Sequence, residues 1–185
     1  MVEQTSIAPG LSTWEIDPVH TLVEFAARHM MITTIKGKFS GVKGTILTDE
    51  ERPELSRVEV TIDTASLDTG DEGRDTHLKS ADFLDVEHSP TIAFQSRRVV
   101  TQDAGRFKVV GDLTIRDVTR EVVLDATFEG RVKSPWGDER AGFSARTIIN
   151  RRDFGLTWNV PLETDGVVVG EEVNISLEIE AIRRV

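Results

Sequence analysis

Few residues in this chain are suited to covalent chemistry. His20, His29, His77 and His88 are the only imidazoles among 185 residues, and there is no cysteine. Without cysteine there is no disulfide, no thiolate metal site and no thiol nucleophile. His20 and His29 differ by nine positions, so in one strand they face opposite ways and cannot share a metal. The acidic run Asp68-Thr69-Gly70-Asp71-Glu72-Gly73 invites a calcium loop. Counted from Asp68, its third position is Gly70 and its twelfth is Lys79, where a calcium hand needs an oxygen ligand and a bidentate glutamate. The run therefore reads as a solvated turn that leads into a helix cap. There is no Gly-x-Ser-x-Gly turn, no phosphate-cradling glycine loop and no His-Glu-x-x-His. Carboxylates are plentiful, but inward strand positions are nearly free of them. No metal, no cofactor and no enzymatic activity are expected.

A second kind of chemistry is the holding of a polar head group. His29 reads first as a hydrogen-bonded strand end and second as a polar contact at one end of a cavity. Arg74 and His77 sit in a helical stretch, where His77 either ties that stretch to a barrel rim or orients a head group with Arg74 or Lys79. Arg151-Arg152-Asp153-Phe154-Gly155 reads first as a strand end with a structural Arg–Asp pair and second as a guanidinium offered to a pyrophosphate, with Arg152 the candidate contact.

These residues need a frame, and the frame reads as strands. Val19, Thr21, Val23, Phe25, Ala27 and His29 alternate with polar neighbours, which puts the odd positions inward. Lys36 to Thr48 carries Gly37, Gly41 and Gly44, the bends a closing barrel needs. Strands follow at Val58–Ile62, Thr91–Thr101 and Phe107–Ile115. Three more are read at Val122–Phe128, Phe143–Thr147 and Val173–Ile179, the last pairing back to the first. The stretch between Asp71 and Pro90 does not alternate. Asp71 or Asp75 caps a short helix there, Leu78, Phe83 and Leu84 give it an apolar face, and Pro90 ends it. The expected fold is all-β: an eight-stranded antiparallel up-and-down barrel with a short helical insertion between the third and fourth strands.

Residues 1–13 read as a flexible N-terminal arm and 14–185 as one barrel domain. Lys and Arg number 22 against 32 Asp and Glu, a net charge of −10. That balance opposes nucleic-acid binding and docking on an anionic membrane. No apolar run is long enough to span a membrane or to serve as a secretory signal, so a cytoplasmic location is expected. Composition leaves room for a homodimer.

One resemblance is specific. Trp14-x-Ile16-Asp17-x-x-His20-Thr21-x-Val23-x-Phe25, Gly37-x-Phe39, Arg74-Asp75-x-His77-Leu78-x-Ser80-x-Asp82-Phe83-x-Asp85-Val86-Glu87-x-x-Pro90-x-Ile92-x-Phe94-x-Ser96, Gly111-x-Leu113-Thr114-Ile115-x-x-Val118-Thr119 and Arg152-x-Phe154-Gly155 resemble, in order and spacing, the YceI-like, polyisoprenoid-binding family. The match runs from about Trp14 to Ala181. It departs at Arg116-Asp117, where the family more often has a glycine; the change is expected to alter a hairpin tip and little else. The resemblance implies a bacterial-type, lipocalin-like barrel with an apolar interior that holds an isoprenoid or other long-chain lipophilic ligand. The expected lining is Val23, Phe25, Ala27, Phe39, Ile92, Phe94, Val109, Leu113, Phe143, Phe154 and Trp158. His29, Arg74, His77 and Arg152 are the candidate head-group or rim contacts. A charged head group is expected to stay near the mouth in water with little effect on affinity. The alternatives are a stress-related structural or interaction module with a filled barrel, and sequestration of other small lipophilic molecules.

Overall fold

The computed structural model describes residues 10–185. Among these residues eleven strands occur in chain order: β1 (Leu11–Ile16), β2 (Leu22–His29), β3 (Thr33–Phe39), β4 (Val42–Asp49), β5 (Arg57–Asp63), β6 (Leu67–Asp68), β7 (Thr91–Asp103), β8 (Arg106–Ile115), β9 (Val118–Lys133), β10 (Glu139–Asn150) and β11 (Val169–Arg183). The helix α1 (Glu72–Lys79) follows β6. Strands β1, β4, β5, β7, β8, β9, β10 and β11 pair in that order, and β11 pairs back to β1. This closes an eight-stranded antiparallel barrel.

The remaining strands extend three of those eight. Ile16 pairs with Ala181, and farther along the same edge of β11 Val23 pairs with Leu177. β1 and β2 are thus one strand line broken in the middle. Pro18 has no N–H to give a ladder, and the Asp17 carboxylate accepts the Val19 N–H at 3.0 Å to turn the chain. β3 pairs with β2 and β6 with β3, so β4 with β3 and β5 with β6 are broken lines of the same kind. The β5 line breaks where the Asp63 carboxylate accepts the Ala65 N–H and caps a 3-10 turn. The helix therefore lies after the sixth strand, not between the third and fourth. The breaks double the strand count ahead of it. They also leave Val19, expected inward, 81 % exposed in a turn.

Asp71 caps α1 by accepting the Arg74 N–H at 2.7 Å. Asp75, the other candidate cap, instead accepts the Thr69 N–H. Residues 1–9 of the expected arm lie outside the described residues. Leu11, Ser12 and Thr13, assigned to that arm, belong to β1 and pair with Asp49, Thr48 and Leu47. A β-branched threonine beside a paired neighbour suits a strand as well as a linker.

Two bulges reset the inward parity. In β7, Ser96 pairs with Gly111 but Arg98 pairs with Val110, so Arg97 is an extra residue. Ile92 and Phe94 face inward before it and Val99 after it. In β9, Phe128 pairs with Phe143 while Gly130 pairs with Gly142, so Glu129 is extra and the inward set passes from even to odd numbers. Gly111 stands where the wall is tight: a Cβ there would stand 2.5 Å from the Gln95 carbonyl oxygen.

The Arg116 tip does more than shape a hairpin. Arg116 takes φ 55°, a region that favours glycine. Its guanidinium reaches the Phe83 carbonyl at 3.4 Å and the Asp85 carboxylate at 3.8 Å, tying the β8–β9 tip to the segment after α1. Among the described residues, no helix is long and apolar enough to cross a membrane.

Candidate functional site

The inward faces of the strands do not fill the barrel. They enclose a cavity of about 580 Å³ whose wall is almost wholly apolar. That volume lies in the ordinary range for a site that buries a small molecule. Val23, Phe25, Ala27, Phe39, Ile92, Phe94, Val109, Leu113 and Phe143 all border this one space. Small residues stand two places from large ones along this wall, Ala145 after Phe143 and Ala27 after Phe25.

Phe154 and Trp158 do not border it. Phe154 is 2 % exposed, but a 3-10 turn over Arg151–Phe154 carries it past the end of β10, beside Val123 and Ile148. Trp158 packs edge-on against the His77 ring at 4.6 Å and lies 5.4 Å from the Phe83 ring. These three rings, with Leu78 and Leu84, seal one end of the barrel. Leu78, Phe83 and Leu84 face the cavity, so α1 and the turns after it form a cap.

The expected head-group residues are not brought together. His29 ends β2 opposite Thr33 and Val169, off the cavity wall. Arg74 is spent on Thr69, donating from Nε to the hydroxyl at 2.7 Å and from Nη2 to the carbonyl at 2.9 Å. His77 Nε2 lies 2.9 Å from the Asp82 carboxylate. Arg152 points outward and pairs with Glu171 at 2.9 Å.

Two arginines outside the expected site residues border the cavity, one at each end. Arg151, 5 % exposed, stands at the capped end. It donates from Nε to Gly170 O at 2.9 Å, from Nη1 to Leu156 O at 2.6 Å and from Nη2 to Val169 O at 3.2 Å. Its guanidinium lies 5.9 Å from the Phe83 ring centre. Burial pushes its pKa below the ordinary arginine value, because the charged form loses water; Glu171 opposes this. Arg131 stands at the other end, where it pairs with Glu50. Asp49, 3 % exposed, accepts the N–H groups of Glu51 and Arg52 and so holds the loop that presents Glu50.

A separate polar cluster sits at the β1–β11 seam, outside the cavity. Asp17, His20 and Glu180 converge there, with the His20 Nδ1 2.8 Å from Asp17. The cation among them is Arg140, 3.2 Å from Asp17 and 2.5 Å from Glu180. The hydrogen bond from His20 is the main cause that lowers the Asp17 pKa, with Arg140 adding to it. The group ties the ends of the strands that close the barrel.

The YceI-like domain pattern matches residues 14–181. A UPF0312 protein of Ectopseudomonas mendocina is 39% identical over 165 residues, covering 89% of this chain and 83% of that one. The YCEI protein of Campylobacter jejuni superposes with a TM-score of 0.72 at 31% identity, over 85% of this chain and 90% of that one. A polyisoprenoid binding domain from Saccharophagus degradans shares the fold, with a TM-score of 0.68 at 12% identity over 95% and 99% of the two chains. With a pattern matched across nearly its whole length on a barrel of the same shape, the chain belongs to the YceI-like domain family.

Proposed function

We propose that this protein is a non-enzymatic binder of a long apolar chain of isoprenoid type, held inside the barrel. The observation that carries this is the cavity itself: one space bordered by inward residues of the strand lines, apolar nearly throughout. Each CH₂ that leaves water for such a wall contributes about 0.8 kcal/mol. A few isoprene units therefore approach the practical ceiling of non-covalent affinity, near roughly −20 kcal/mol. Affinity of this kind needs no polar anchor along the wall, and few polar groups are found there. The isoprenoid class is supported by the Saccharophagus degradans domain, which binds a polyisoprenoid on the same fold.

Binding rather than catalysis fits the site. The charged groups at the ends of the cavity, Arg131 with Glu50 and Arg151, are held by an ion pair and by backbone carbonyls, and among the described residues no imidazole borders the wall. The test is mass spectrometry of an organic extract from protein purified without detergent. A co-purifying long-chain lipid in near-stoichiometric amount is expected. Protein that is lipid-free, and that also fails to take up prenols in solution, would favour an interaction module acting through its surface.

A further inference from the structure

We propose that the capped end of the cavity is an oxyanion site built on Arg151, so that the barrel takes an apolar chain ending in a carboxylate or phosphate with that end inserted first. The inference rests on the proposed binding of a long apolar chain and specifies which end of it the protein reads.

Arg151 reaches the cavity by strand parity. Phe143, Ala145, Thr147 and Ile149 border it from β10, and Arg151 continues their odd-numbered row just beyond the strand. It is 5 % exposed, 5.9 Å from the Phe83 ring centre and bonded to the Leu156 carbonyl, so its charge sits in a medium that screens poorly. A guanidinium has five N–H donors. Three hydrogen bonds, all to backbone carbonyls, take one donor from each nitrogen. One N–H on each terminal nitrogen is left to donate to an oxyanion.

Carbonyl dipoles soften the charge but do not cancel it. Among the described residues no carboxylate lies within ion-pair distance of Arg151, and its nearest influential acid, Glu171, is already paired with Arg152. A buried cation without a counter-charge is costly, and an entering oxyanion would remove that cost. The mouth offers no such gain. There Arg131 is paired with Glu50, and Arg52 with Asp49, so two acids already neutralise two bases. An oxyanion at the mouth would meet Asp49 and Glu50. This places the polar end of the ligand opposite to the mouth position that the sequence suggests.

The experiment compares farnesoic acid with its methyl ester by displacement of a fluorescent probe from the intact protein. The acid should bind about tenfold more tightly or better, the range of a charged hydrogen-bonded contact. Farnesyl phosphate in a third arm separates the two oxyanions. Arg151→Met should abolish the preference while the ester still binds. That variant also loses the carbonyl staple and could fail to fold, so the wild-type arm carries a second readout. The Arg151 Nε–H nuclear magnetic resonance signal should shift on adding acid and stay put with ester, which a purely structural arginine would not do. Equal affinity for acid and ester, a preference that survives in folded Arg151→Met, or an unmoved Arg151 signal would overturn the proposal while leaving the apolar-chain reading intact. If neither compound binds, both readings fall.

Discussion

Glu50 and Arg131 form an ion pair across the open end of the barrel. Glu50 follows β4 and Arg131 lies on β9, and in the ring of eight these strands are four places apart, the greatest separation possible. Both side chains border the cavity mouth, so the pair lies over the route that a chain must take.

Glu50→Gln should therefore speed the release of a bound probe. Both partners are about half exposed, with side-chain exposures of 57% and 42%. An exposed pair is worth roughly 0.2–1 kcal/mol, which limits the effect to about fivefold. Salt at about 1 M, which shortens the screening length to roughly 3 Å, should do the same to the wild type and little to the variant. Stopped-flow displacement measures both; identical release rates would show that the pair does not restrict the mouth.

Gly111→Ala should destabilise the barrel. The added methyl would stand 2.5 Å from the Gln95 carbonyl oxygen, 2.7 Å from Phe94 Cζ and 2.8 Å from Ser96 Cα, and two of those are backbone atoms that cannot swing away. Overpacking of this kind costs about 1–3 kcal/mol. Gly142→Ala is the control, because its new methyl would make only an ordinary contact, 3.5 Å from Glu129 Cβ. Urea denaturation should separate the two variants, and equal midpoints would mean that the β7–β8 wall is looser than described.

His88 should titrate above its usual value, because its ring nitrogen meets the Asp85 carboxylate at 2.9 Å. A raised value in the folded state means that the pair supports the fold below the unfolded pKa of about 6.5 and ceases to do so as pH rises through the raised folded value. Asp85→Asn should return His88 toward the ordinary value. Asparagine tolerates the positive φ of 50° at this position, so the change isolates the charge. Histidine proton shifts followed against pH would show it; an unchanged His88 midpoint in the variant would contradict the pairing.

Much of the barrel was legible because alternation is a local signal. Phe107 to Ile115 and Val173 to Ile179 show their inward faces directly, and both rows border the cavity. Asp71 was legible as a cap because its carboxylate acts on a neighbour three residues away. What alternation missed was interruption. The break at Pro18, which left Val19 outside, adds a strand to the count, and the Glu129 bulge turns Arg131 inward against the even-numbered row before it. Arg151 was one step from legible: the odd row of β10 leads straight to it, but an arginine ending an apolar row reads as leaving the core. Arg152 was chosen in its place, and the 3-10 turn sends that side chain out to Glu171. The reach of Arg116 to Phe83 and Asp85 depends on folding that brings together residues about thirty apart, which no local pattern reports.

The central claim is that burial of an isoprenoid chain in the cavity supplies the binding energy. It is tested most directly by displacing a fluorescent probe with prenols of increasing length at fixed pH and salt. Affinity should rise with each added isoprene unit and then level off once the cavity is full, because each buried CH₂ adds about 0.8 kcal/mol until ordering costs and lack of space cancel the gain. Affinity that stays flat across chain length would contradict the account.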